Sequence, residues 1–63
     1  MKYSYNIDYF ESDTTDIILD CIEENGSRHY DVYLQHEKDE ALIFDDLSEA
    51  KEYFKLLSRE QGN

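Results

Sequence analysis

The sequence has no proline, no tryptophan, two glycines and one cysteine, and only six of its 63 residues are basic. So little proline and glycine argues against a low-complexity tail. The lone Cys21 excludes an internal disulfide and fits a reducing, cytoplasmic compartment. No apolar run reaches the ~18 residues that span a bilayer, and the first residues lack a signal-peptide pattern. With sixteen acids the net charge is −10, which excludes unaided binding to nucleic acid or an anionic membrane, because both require a basic face.

The aromatic residues indicate a folded chain. A high charge and a mean hydropathy of −0.83 are typical of disorder. Nine aromatics, six of them tyrosine, stand at regular spacing instead of being scattered. We therefore expect residues 1–63 to form one small domain, which hides only about 60% of the surface of its unfolded chain.

Strict alternation marks the first predicted strand, over residues 2–10. Tyr3, Tyr5, Ile7 and Tyr9 fall on one side and polar residues on the other, as in a half-buried strand. A polar stretch over residues 11–15 then predicts a five-residue turn. This loop length pairs Tyr9 with Ile17 and places the alternating apolar residues on the core face.

Residues 16–24 fit two interpretations. Ile18, Cys21 and Ile22 would share one face of a helix that ends at Gly26. Alternatively, Asn25-Gly26 forms a type I′ turn between strands 16–24 and 27–36. The hairpin register gathers six apolar residues on one face, whereas a slip of one residue would scatter them, so we favour the hairpin. These six are Ile17, Leu19, Cys21, Tyr30, Val32 and Leu34.

The last third of the chain changes period. Residues 41–44 read as a fourth strand, and apolar residues then recur every three or four positions over 47–59, which predicts a helix. Asp46 and Glu49 resemble a capping box at its start, and residues 60–63 are expected to fray. The predicted fold is α+β: an antiparallel meander of three to four strands with one C-terminal helix on one face.

The negative charge is concentrated in the predicted sheet and its turns. Residues 1–46 contain thirteen acids and three bases, whereas residues 47–63 contain three of each. Three clusters belong to predicted turns, and the first and third turns of a meander lie at the same end. We assign the clusters to partner binding: Glu11, Asp13 and Asp16; Glu37, Asp39 and Glu40; Asp45 and Asp46.

The predicted outer face of the sheet mixes apolar and acidic side chains. Its candidate dimer residues are Ile18, Asp20, Ile22, Asp31 and Tyr33. One helix cannot cover a four-stranded sheet, and uncovered apolar surface indicates association, most often a homodimer. The register also sets Asp20 against Asp31, an unfavourable pair. Hydration, a cation, an arginine of another chain or an error in the register would each account for it.

Catalysis has little support in the sequence. Cys21 and His29 point to opposite faces in the hairpin register, so they cannot form a nucleophile–base pair. Carboxylates in solvated turns lack the apolar pocket that general acid–base work needs. We therefore expect no enzyme and no cofactor or metal site.

In size and acidity the chain resembles the small inhibitors carried by phages and mobile elements. These anti-defence proteins mimic DNA and block host nucleases, glycosylases or defence complexes by occupying their DNA-binding surfaces. The resemblance covers composition only, and no residue is carried over from it. It implies a binding protein whose partner is a protein with a basic surface, with no direct contact to nucleic acid. The alternative is a homodimeric structural or regulatory protein whose acidity serves solubility.

Overall fold

A computed structural model describes residues 1–62, with side chains through residue 60. It has four antiparallel strands in one open sheet, in chain order, and a C-terminal helix packed against it, which confirms the α+β prediction. The elements are β1 (Lys2–Phe10), β2 (Ile17–Glu24), β3 (Ser27–Leu34), a 3-10 segment (Gln35–Glu40), β4 (Leu42–Phe44) and α1 (Leu47–Gly62).

The β2–β3 hairpin confirms the predicted register. Asn25 and Gly26 have φ angles of 53° and 84°, as the two central positions of a type I′ turn require. Glu24 lies opposite Ser27, and the pairing continues without a shift to Ile17 and Leu34. The helical interpretation of residues 16–24 is therefore wrong.

The β1–β2 register agrees with the prediction for the first part of β1 only, because a bulge interrupts the strand. Tyr5 lies opposite Cys21 as expected, but the register shifts between Asn6 and Asp8. Beyond the shift Phe10, and not Tyr9, lies opposite Ile17, and the connecting loop has six residues (11–16) instead of five. A bulge adds one residue to a strand and so reverses the faces of all that follow.

The bulge decides which aromatic ring of β1 enters the core. Ile7 and Phe10 pack against the core cluster, whereas Tyr9 is 48% exposed. Tyr3 and Tyr5 remain on the core side but are also exposed. The predicted core-side position is therefore confirmed for Tyr3 and Tyr5 and wrong for Tyr9. A phenylalanine ring has no hydroxyl that needs a hydrogen-bond partner, so burying it costs less free energy than burying a tyrosine ring.

Two element boundaries differ from the predictions by two residues or more, while β2 and β4 each begin one residue later than predicted. β3 ends at Leu34, and Gln35 and His36 belong to the 3-10 segment instead of the strand. The helix runs to Gly62 instead of ending near 59, so the predicted fraying from residue 60 onward is not seen through residue 62. Residue 63 lies outside the described residues.

The core lies between the sheet and α1. We call the face of the sheet that packs on α1 the inner face and the opposite one the outer face. Five sheet residues and two helix residues are buried: Ile17, Leu19, Cys21, Tyr30, Val32, Ala50 and Phe54. The helix packs mainly on β2, β3 and β4, which leaves the start of β1 uncovered. Within residues 1–62 no helix is both long and apolar enough to cross a membrane.

Candidate protein-binding surfaces

Two loops join at one end of the sheet. The Gln35 N–H donates to the Asp16 carbonyl at 2.9 Å, and His36 Nδ1 lies 2.8 Å from Thr15 Oγ1. These bonds fix the 11–16 loop beside the 3-10 segment, as the meander topology predicts. We call the resulting surface the acidic end; its carboxylates belong to Glu11, Asp13, Asp16, Glu37, Asp39 and Glu40.

Hydrogen bonds within the 11–16 loop hold its shape. Ser12 Oγ accepts from the Thr15 N–H at 3.0 Å and donates to the Thr15 carbonyl. Tyr9, which the bulge turns to the outer face, donates its hydroxyl to the Asp16 carboxylate. This bond raises the pKa of Tyr9, because the nearby negative charge disfavours a phenolate. Asp16 is thereby partly engaged, and it is half-buried.

The other carboxylates of the acidic end are free to meet a partner. All except Asp16 are exposed. Glu37 Oε1 lies 3.3 Å from His36 Nε2, which is an ion pair only when the imidazole is protonated. Arg28 pairs with Glu23 at the other end of the β2–β3 hairpin, with 2.8 Å between Arg28 Nε and Glu23 Oε1. Among the described side chains no other arginine or lysine forms an ion pair. Lys38 is the one base of the two loops, and no ion pair within 4 Å joins it to a carboxylate among the described side chains, so the acidic end keeps a net negative charge.

Asp45 and Asp46 do not belong to the acidic end. They follow β4 and precede α1. The Ser48 N–H donates to Asp46 Oδ1 at 2.8 Å, and the Ala50 N–H donates to the Asp46 carbonyl at 3.1 Å. Asp46 is thus the N-cap of the helix, as its sequence position suggested. Asp45 is exposed and remains a candidate binding residue.

The predicted Asp20–Asp31 pair is present at the centre of the outer face. The Asp20 carboxylate accepts from Asn6 Nδ2 at 3.1 Å and from the Tyr33 hydroxyl at 2.8 Å. Burial, together with this bond to Asp20, raises the pKa of Tyr33 to about 12. Hydrogen-bond donors from both neighbouring strands therefore stabilise the Asp20 carboxylate, which explains how Asp20 can lie opposite Asp31.

Asp31 is less well satisfied. Its Oδ1 atom is buried and has no hydrogen-bond partner, and His29 Nε2 lies 3.8 Å away. Among the described residues no group of three or more His, Cys, Asp or Glu side chains could hold a metal ion. Asp31 is a half-buried carboxylate that lies between Asp20 of β2 and Ile43 of β4 in the register of the sheet.

Sequence reasoning missed the contributions of Asn6, Tyr9 and His36. The Asn6 amide bridges the bulge by donating to the carbonyls of Asp8 and Leu19, at 2.8 and 3.2 Å. No periodic pattern signals this role, since Asn6 occupies an ordinary polar position of the alternation. The position of His36 at the acidic end was missed because β3 was predicted to extend through residue 36. Cys21 and His29 lie on opposite faces, as predicted.

No protein-family model, curated protein or solved structure matches the chain. The geometry alone defines the class: a small α+β protein with an acidic end, an uncovered outer face and an uncovered start of β1.

Proposed function

We propose that the protein is a small non-enzymatic binding protein, an inhibitor that presents carboxylates to the basic, nucleic-acid-binding surface of a partner protein. The observation that carries this proposal is the acidic end. Two loops bonded to each other place six carboxylates at one end of the sheet, with Lys38 as their one base and no arginine or lysine ion pair to them among the described side chains. The carboxylates would replace the phosphates of a nucleic acid.

The energetics support a use for this charge. Self-repulsion destabilises a compact chain of this size, whose stability is already small. Arginine and lysine of a partner would form charge-assisted hydrogen bonds with the exposed carboxylates. Opposite charges would also steer the partner and speed association. Anti-defence inhibition by a phage or mobile element is a setting in which such binding is useful.

The outer face fits a cationic partner better than a face-to-face copy of the chain. Two copies stacked through this face would bring two Asp20–Asp31 pairs close together, and like charges placed side by side in an interface cost several kcal/mol. An arginine from a basic partner would instead meet the unpartnered Asp31 Oδ1 atom. We therefore place the outer face among the partner-contacting surfaces.

Affinity capture with matched variants tests the proposal. The bait variants are a loop-neutral chain (Glu11→Gln, Asp13→Asn, Glu37→Gln, Asp39→Asn, Glu40→Gln) and a helix-neutral control (Glu49→Gln, Glu52→Gln, Glu60→Gln). The probe is the heparin-binding fraction of a cell lysate, which is enriched in proteins with basic grooves. We expect wild type and control to retain a defined protein at about 50 mM salt and to release it at about 0.5 M.

Duplex DNA supplies the second measurement. If the retained protein holds the acidic end in its nucleic-acid groove, added duplex should displace it from wild type, and the loop-neutral variant should not retain it. Equal retention by the loop-neutral variant, or a captured protein that DNA fails to displace, would refute the proposal.

A further inference from the structure

The open edge of β1 is the longest unpaired backbone in the described sheet. β1 has nine residues, no proline and one strand neighbour, whereas the opposite edge, β4, has three residues. Exposed edge strands are templates for pairing with another chain. Tyr3 and Tyr5 add exposed aromatic surface on the inner face beside this edge, at 58% and 49% exposure.

The β2–β3 hairpin fixes which backbone groups face this edge. A turn of this kind closes on a hydrogen bond between its flanking residues, here Glu24 and Ser27. Bonded and non-bonded pairs alternate along antiparallel strands. The backbone groups of Glu24 therefore point to β3, and those of Glu23 point to β1.

The same alternation carries over to β1. Tyr3 lies opposite Glu23 and so directs its backbone groups into the sheet. Its neighbours Lys2 and Ser4 direct theirs to the open edge, and so does Asn6, the last residue before the bulge. These three residues offer a bulge-free segment for a further strand.

Identical antiparallel strands that share faces are related by a two-fold axis perpendicular to the sheet. The register that uses all three edge residues pairs Ser4 with Ser4 and Lys2 with Asn6. Tyr3 of each copy then lies opposite Tyr5 of the other on the inner face. The two helices stand on the same side of the joined sheet, and the four tyrosine rings form the floor between them.

Charge on the outer face complements this register. Lys2 of one copy enters the row that contains Asn6, Asp20 and Asp31 of the other. Asp20 lies two strand spacings away, roughly 10 Å between Cα atoms, which an extended lysine side chain can bridge to a carboxylate. The ammonium group would approach the acidic pair that lacks a cation within one chain.

We propose that a second copy of this chain occupies the β1 edge, so that two sheets join through Lys2–Asn6 into one of eight strands. This dimer does not depend on the proposed inhibitory function, and the acidic end remains outside the joint. At the Asp20–Asp31 pair alone, Lys2 of the second copy would compete with an arginine of the partner protein.

Disulfide trapping tests the register. The variant Ser4→Cys places a thiol on the two-fold axis, where Cα atoms of a bonded pair are about 5.5 Å apart, within disulfide range. The matched control is Ile43→Cys, an exposed position at the β4 edge. The native Cys21 is buried in both variants. Under mild oxidation we expect Ser4→Cys to become covalently dimeric at least about tenfold faster than Ile43→Cys; equal rates would overturn the proposal.

Sedimentation of the unmodified chain from about 1 μM to about 1 mM tests association itself. We expect a dimer that tightens as salt screens the repulsion between two chains of charge −10. In Ser4→Pro, the lost N–H faces outward, so the fold should persist by circular dichroism while the dimer weakens at least about tenfold. If this variant unfolds, Tyr5→Ser, which removes inner-face contacts alone, is expected to weaken the dimer too. A chain that stays monomeric at every concentration and salt level would refute the proposal. The response to salt distinguishes the two proposals, because added salt should strengthen the dimer and weaken binding of the basic partner.

Discussion

At the scale of single residues, the side chains of β1 change face at Ile7, and this change determines which aromatic residue of β1 packs against the core. Asn6 stabilises the change because its side-chain amide donates to two carbonyls beside the bulge, those of Asp8 and Leu19. The same amide reaches Asp20 Oδ1 on the outer face. One short polar side chain thus links the bulge, the burial of Phe10 and the Asp20–Asp31 pair.

The variant Asn6→Ala should destabilise the fold. It removes an amide group whose two hydrogens are shared among the carbonyls of Asp8 and Leu19 and the Asp20 carboxylate. We expect a loss of about 1–3 kcal/mol in the free energy of unfolding, measured by urea denaturation. The control is Ser4→Ala, an exposed position on the same strand, with an expected change within about 0.5 kcal/mol. Equal effects of the two variants would show that the Asn6 bridge adds nothing.

At the scale of elements, the second hairpin could be predicted from sequence and the first could not. Asn25-Gly26 permits one tight turn, since both positions tolerate positive φ, and a two-residue loop leaves one register. The 11–16 loop has no such constraint: five or six residues both connect the strands, and hydropathy alternation reads through a bulge as if it were absent. The location of the acidic end followed from topology, but its hydrogen bonds depend on the unpredicted 3-10 segment.

The helix start distinguishes two neighbouring acids that sequence reasoning assigned to one partner-binding cluster. Asp46→Ala removes the N-cap acceptor of the Ser48 N–H and should cost about 0.5–2 kcal/mol in unfolding free energy. Asp45→Ala removes an exposed carboxylate and should change stability by less than about 0.5 kcal/mol. Thermal or urea unfolding of both variants measures the difference. A larger cost at Asp45 would contradict the assignment of Asp46 as the cap.

At the scale of the whole molecule, the exposed acidic loops lie apart from the buried residues that pack the sheet on the helix. The helix supplies Ala50 and Phe54 to the core and is electrically balanced, whereas the sheet and its loops carry the entire excess. The five exposed carboxylates of the acidic end lie outside the hydrophobic core, so they can be neutralised without altering core packing. This separation makes the stability cost of the charge measurable apart from its use in binding.

Salt should therefore stabilise this protein, and mainly through the acidic end. Raising ionic strength from about 0.01 M to about 0.5 M shortens the screening length from about 30 Å to a few Å, which relieves repulsion among exposed carboxylates. We expect the melting temperature of wild type and of the helix-neutral control to rise over this range. The loop-neutral variant should melt higher than wild type at low salt and respond less to added salt, because it has lost the repelling groups. Calorimetry at low protein concentration checks this with the dimer dissociated. If the loop-neutral variant is less stable than wild type, the acidic loops stabilise the fold. Their negative charge would then be explained without a cationic partner.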